Sequence, residues 1–190
     1  MQKWSKLDMS VIIGISEVDA GTLRKAHATH PISLVEVRYS LLDRGIEESL
    51  IPAARELGIG IVTFANLFHG VIGGRNPQEK LAMLSKRMSP QAVEKLNEVV
   101  PRLDMLKDMA NKKGITLSQL AIAWVLAQGD DIMALVGSQT VAQLHDTVKT
   151  IDINLSKDDL LQIEQIIPKE YASNSAMLPI NLDRDGLFVW

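Results

Sequence analysis

The 190-residue chain has no cysteine, which excludes disulfides, thiolate zinc sites and a cysteine nucleophile. Side-chain metal ligands are therefore restricted to four histidines and the carboxylates. Glycine and proline are scarce, 12 and 7 residues without a period, so collagen-like and low-complexity classes are excluded. Charge of one sign is scarce too: 20 Lys and Arg against 23 Asp and Glu leave a net charge of −3, and no basic run exists to gather phosphates. No nucleic-acid partner is expected. No apolar run approaches the ~18 residues of a membrane span, and Met1 to Ser10 lacks the apolar centre of a signal peptide. The expectation is a cytoplasmic chain in a reducing compartment, without a membrane partner. What the chain does have is apolar content, 46% of residues, which excludes disorder and at this length favours one core.

That apolar content is organised. Val11–Ile15, Leu34–Val37, Ile59–Phe64 and Ile132–Val136 are short runs rich in β-branched residues, bounded by glycine or polar residues, and read as strands. Their near-continuous hydrophobicity predicts burial on both faces, as in a parallel sheet. Between them, Asp19–His30 and Ile46–Leu57 carry apolar residues at helical spacing, and Gly58 is placed to close the second helix. Ser89 before Pro90, Thr116 with Gln119, Thr140 with Gln143 and Ser156 with Asp159 read as helix N-caps or capping boxes. Pro101 is expected to separate Gln91–Val100 from a second helix ending near Asn111. The order is β-α-β-α-β, a long helical insert, then β-α-α. No two-residue hairpin signal lies between strands, so the strands are expected to be parallel and joined by right-handed crossovers. Residues 171–190, with Pro179, Phe188 and Trp190, read as a tail loop.

Parallel α/β folds place chemistry at the C-terminal ends of their strands. The residues there are Ser16-Glu17, Arg38-Tyr39-Ser40, Ala65 to Gly70, and Gly137-Ser138-Gln139-Thr140. The last is a strand, a Gly-Ser turn and a helix N-terminus, which suits an anion or is an ordinary capped turn. His69 is a loop histidine or a general acid. His27 and His30 are metal ligands or cations at a helix C-terminus. Phe64 is core or a shelf for a flat ligand. Glu36 and Arg38, two apart on one strand, point to one face, which must be solvated or paired.

Taken together, Ile13-Gly14-Ile15-Ser16-Glu17, Thr22 to Ile32, Tyr39-Ser40-Leu41, Glu56 to Val62, Leu117 to Gly129 and Gly137–Val148 strongly resemble the aldo-keto reductase family, in order from about residue 12 to residue 170. The resemblance implies the second half of a (β/α)8 TIM barrel: an α/β, four-stranded parallel half-barrel with outer helices over residues 1–170. It also implies an NADPH-dependent oxidoreductase of aldehydes and ketones. The family's catalytic Asp, Tyr, Lys and His precede the stretch that matches Val11–Ser16, so the chain alone is expected to be inactive. The alternative is a catalytically dead nucleotide-binding or interaction module.

The positions that resemble the family's NADP(H) contacts are Ser16, Glu17, Glu36, Phe64, Ala65, Leu67, Gly137, Ser138, Gln139, Thr140 and Asp146. Several depart from the family pattern. Glu17 stands where many members have Asn, Glu36 where Gln is usual and Arg38 where Glu is usual. The family's Ser-Pro-Leu-Gly-x-Gly becomes Ala65-Asn66-Leu67-Phe68-His69-Gly70, with a hydroxyl lost and a bulky Phe at a glycine position. Gln139 and Thr140 replace cations that grip the 2′-phosphate, each worth about 1.5–3 kcal/mol. Asp146 is one carbon shorter than the adenine-contacting Glu, and Thr147 replaces Asn. Weak cofactor binding without NADP preference, and no metal, is expected. Four strands leave two open edges, which predicts a homodimer or a complex with a complementary N-terminal half.

Overall fold

In the computed structural model, residues 12–73, 77–86 and 90–172 are described. Val11, Ser89 and the tail beyond Ala172, including Phe188 and Trp190, lie outside the described residues. The expected order is present: β1 (Gly14–Ser16), α1 (Ala20–Thr29), β2 (Leu34–Arg38), α2 (Leu50–Glu56), β3 (Gly60–Phe64), α3 (Pro77–Ser85), α4 (Pro90–Lys112), α5 (Leu117–Leu126), β4 (Ile132–Ala134), α6 (Val141–Val148) and α7 (Lys157–Ile166). Short 3₁₀ turns lie at Phe68–Gly70, Lys149–Asp152 and Lys169–Tyr171. The four strands form one parallel sheet in the order β1-β2-β3-β4.

Local chemistry accounts for the element boundaries. Asp19 accepts from Thr22 N at 2.6 Å to start α1, and Pro31 prevents its continuation past His30. Helix α2 starts at Leu50, four residues later than the apolar spacing suggests, because residues 45–49 turn first and Pro52 fits only the first helical turn. Gly58 closes α2 at φ +66°, with Ile59 N donating to Ala54 O. The capping boxes at Thr116, Thr140 and Ser156 all form.

Pro101 does not divide its segment. Helix α4 runs unbroken through it, because the stripe Val99, Leu103, Leu106 and Ala110 stays buried on both sides of the proline. Continued packing offsets the one backbone hydrogen bond that proline cannot donate.

The sheet also departs from expectation: among the described residues, helices cover only one face. Val35, Val37, Ile61, Thr63 and Ile132 are at most 4% exposed and join the helices in one core. On the other face Leu34, Glu36, Val62 and Phe64 are only half-buried, and Met133 and Leu135 are 47% and 55% exposed. Sequential strand order explains this: each right-handed crossover drops its helix on the same side of the sheet. The apolar residues of the bare face had made the strands read as two-sided.

A buried polar cluster fastens the C-terminal helices to the sheet. Arg44, 8% exposed, donates to Glu47 at 2.7 Å and Glu164 at 2.6 Å and lies 5.1 Å above the Trp124 ring. Tyr39 donates to Glu47 at 2.8 Å and packs 5.3 Å from Trp124. Burial, reinforced by the Glu47 charge, holds the Tyr39 phenol far above its usual range. Burial also works to raise Glu47, but hydrogen bonds from Arg44 and Tyr39 outweigh it and leave that carboxyl below its ordinary value.

Candidate functional site

Parallel register sorts the bare face into rows. Gly14, Leu34 and Gly60 are neighbours at the lower end; Ser16, Glu36, Val62 and Met133 form the middle row; Arg38 and Phe64 pair at the upper, C-terminal end. The lower row is closed: a Cβ at Gly60 would lie 2.8 Å from Leu34 Cδ2. The upper rows are open. Ser16 is exposed, and the Glu36 carboxylate has no hydrogen-bond partner among the described residues.

The upper rim is strained. Glu17, Ala65, Phe68 and His69 all have positive φ, between 45° and 55°, which costs a non-glycine residue roughly 1–2 kcal/mol. Named bonds hold each bend. Glu17 N donates to Glu36 O at 2.8 Å, while its carboxylate accepts from Arg38 N at 2.8 Å and Arg38 Nε at 2.9 Å. Asn66, 2% exposed, donates from Nδ2 to Tyr39 O at 3.0 Å and Thr63 Oγ1 at 2.9 Å. Its Oδ1 is buried without a partner. Phe68 is buried and Leu67 packs against the core, so this loop is filled by side chains and does not form a bare backbone cradle. His69 is exposed, yet crowding of its ring and then the nearby Arg38 charge hold its imidazole below the usual histidine range.

The paired-or-solvated alternative for Glu36 and Arg38 resolves into one of each: Arg38 is paired with Glu17, and Glu36 faces the open side. Phe64 lies half-buried on the same face, available to a flat ligand. The two histidines of α1 serve its end instead: His27 Nδ1 accepts from Ile32 N at 3.2 Å, and His30 Nδ1 lies 3.3 Å from Pro31 O. Among the described residues, no group of three or more His, Asp or Glu side chains is placed to hold a metal.

Gly137, Ser138, Gln139 and Thr140 lie exposed at the far edge, before α6. Gln143 Oε1 accepts from both Gln139 N at 2.8 Å and Thr140 N at 3.1 Å, and Gln143 N donates to Thr140 Oγ1 at 3.2 Å. Asp146 is likewise engaged. Its carboxylate accepts from Thr116 Oγ1 at 3.3 Å and Gln119 Nε2 at 3.0 Å, which places it at the positive end of α5. Ser16, Glu36 and Phe64 are therefore brought together on one face, whereas Gly137 to Thr140 and Asp146 lie at the edge. The bond from Asn66 to Tyr39 has no signal in the sequence, because nothing at short spacing links the two residues. Gln143 was visible only as a cap.

A cavity of about 380 Å³ lies at the opposite, N-terminal ends of the strands, lined by Arg55, Gly58, Ile59, Gly60 and Asp131. The bidentate Arg55–Asp131 pair there ties α2 to the start of β4. No helix among the described residues is long and apolar enough to cross a membrane.

Comparison with known proteins agrees with the architecture. A family model described as Aldo/keto reductase family matches residues 12–168. A protein described as "Probable aldo-keto reductase 1" from Glycine max is 37% identical over 161 residues, covering 82% of this chain and 46% of the relative. The chain thus spans about half the length of that relative.

Proposed function

Since the chain belongs to the aldo-keto reductase family, we propose that it forms the cofactor-side half of an NAD(P)H-dependent barrel that reduces aldehydes or ketones. The observation that carries this reading is the bare sheet face, whose open C-terminal rows present Ser16, Glu36 and Phe64 together. A nicotinamide dinucleotide, when bound, supplies the hydride. Phe64 offers a ring face against which a flat heterocycle stacks, and Ser16 and Glu36 offer hydrogen-bonding atoms for its amide. The strained Glu17 and Ala65 bends orient these groups. The acid that protonates the carbonyl oxygen comes from the other half of the barrel, and the residues described here exclude water from one side of the site.

A second half is needed on physical grounds as well. No described strand pairs with the outer edges of β1 and β4, and each Val, Ile or Leu left in water forgoes about 1.5–3 kcal/mol. Either a complementary N-terminal half or a second copy covers this face, and two-fold closure is the commonest form of self-association. A non-catalytic binding or interaction module is the second reading. The Glu17–Arg38 pair favours it, because it occupies a carboxylate that would otherwise face a ligand.

Rates of NADPH and NADH consumption with an aldehyde panel test the proposal. The chain alone is expected to stay at the buffer rate, and addition of the part of the Glycine max relative outside its matched 46% is expected to raise it. Turnover by the chain alone would overturn the half-site reading. A single 21.0 kDa species in sedimentation at micromolar concentration, without dye-accessible apolar surface, would overturn the need for a second half.

A further inference from the structure

Among the described residues, helix α6 contributes no buried side chain, unlike α1, α2, α5 and α7. Its apolar residues line one outer flank instead. Val141, Leu144 and Val148, continued by Ile151 in the 3₁₀ turn that follows, recur three or four residues apart and are between 49% and 75% exposed. Single apolar residues scattered over a surface are ordinary. A row of four beside a strand edge that no described strand pairs is a docking surface. Its shape specifies the occupant, which must bring a strand to β4 and, on the helix side, a helix to α6: a βα unit. This chain carries such a unit at its opposite edge, where β1, three residues long like β4, leads into α1. Within α1, Leu23 is buried toward the sheet and Arg24 turns to Glu56 of α2. At about 100° per residue, Thr22, Ala26 and Thr29 then occupy the flank away from α2. These side chains are small and leave room for the large ones of α6. The charges are also of opposite sign: α1 carries Arg24 and Lys25 and no carboxylate, whereas residues 141–152 carry Asp146 and Asp152 against Lys149.

We propose that the α6 flank and the β4 edge dock α1 and β1 of a second copy of this chain. A two-fold axis makes the contact twice, so four sequential parallel strands become eight in a closed ring with no edge left. A stable dimer of standard size buries about 800 Å² per partner. The α6 row with Met133 and Leu135 of β4, all about half exposed or more, supplies the apolar centre of such an interface, and each copy also gives its β1 and α1. Helices α1 and α6 both start beyond the C-terminal ends of their strands and run the same way. Leu144, four residues past its cap Thr140, therefore lies level with Thr22 of the second copy, three residues past its cap Asp19. Nothing in this docking depends on a dinucleotide.

Sedimentation of the full chain at micromolar concentration, beside cross-linking of single-cysteine variants, tests this. The chain has no cysteine of its own, so a short bis-maleimide joins only introduced pairs. The wild type is expected at twice 21.0 kDa. A mixture of Leu144→Cys and Thr22→Cys chains is expected to give a cross-linked dimer that neither variant gives alone. Leu144→Asp and Val148→Asp are each expected to weaken self-association by at least about tenfold, whereas Leu161→Asp, at least as exposed but on α7, is expected to leave it unchanged. All three side chains are exposed in the single chain, so circular dichroism is expected to show the same fold throughout. A monomeric wild type would overturn the proposal and assign the flank to residues 173–190 or, if the chain then pairs with the unmatched part of the Glycine max relative, to that half. Assemblies that grow beyond two copies, a dimer that survives both aspartate variants, or a mixture that gives no cross-link would overturn it as well. None of these outcomes bears on whether a dinucleotide binds, so the cofactor reading stands or falls separately.

Discussion

The two faces of the sheet are built from alternate residues of the same strands, yet they have opposite roles. Ile61 is fully buried beneath the helices, whereas its neighbour Val62 is half-buried on the bare side between Glu36 and Met133. The covered face pairs its charges inside the molecule, as Arg44 does with Glu47 and Glu164. The other face leaves Glu36 without a hydrogen-bond partner among the described residues and Met133 47% exposed. Packing therefore holds the helix side, and the proposed binding and association fall to the other.

The largest effect that would break this contrast comes from Arg44. Arg44→Ala leaves the half-buried Glu47 without its main partner and removes the buried cation above Trp124, so a loss of about 3–5 kcal/mol in denaturant unfolding is expected. A loss no greater than that of an exposed lysine substitution would show that the buried cluster contributes nothing to the covered side.

Next in size is a pair of changes on adjacent residues of β3. Ile61→Ala is expected to cost about 2–5 kcal/mol, because its cavity opens in the packed face. Val62→Ala is expected to cost less than about 1 kcal/mol, because a half-exposed side chain forfeits little burial. Equal losses in urea titrations of the two variants would mean that both faces are covered in solution.

Acid sharpens the same contrast. Glu47 has its folded-state pKa below the ordinary value of 4.5, so the folded state binds the proton less readily than the unfolded state. The stabilisation is fully present above about pH 4.5 and is lost as the pH falls through the folded value. Unfolding midpoints are therefore expected to hold from pH 7 to pH 5 and to drop toward pH 3. The drop is expected to shrink in Glu47→Gln, and an undiminished drop there would assign it to other carboxylates. The smallest effect is expected at a cap. Thr116→Ala removes an acceptor for Gln119 N and a donor to Asp146, for about 1 kcal/mol in thermal unfolding. No change would mean that the end of α5 is held by its packing alone.

These contrasts differ in how far the residues announced them. The capping boxes at Thr116, Thr140 and Ser156 were legible because partner and cap lie three residues apart, and the register of a helix turn does the rest. Phe64, Ser16 and Glu36 could be placed at strand ends, but Asn66 could not be foreseen, because its partner Tyr39 lies 27 residues away. The Glu17–Arg38 pair, 21 residues apart, was visible only as an unexplained charge on a strand. Pro101 misled because its local cost is real and only the stripe packed on either side outweighs it.

By itself, the sequence determined the four strands, their parallel sense, the order of the helices and most of their starts, because each of these depends on spacing within a few residues. Tertiary structure alone decided that all the described helices lie on one face of the sheet, that Arg38 turns to Glu17 and leaves Glu36 on the other face, and that Asp146 spends its carboxylate on α5. Those outcomes depend on which distant segments the sheet register and the handedness of its crossovers bring together, and no local pattern encodes that.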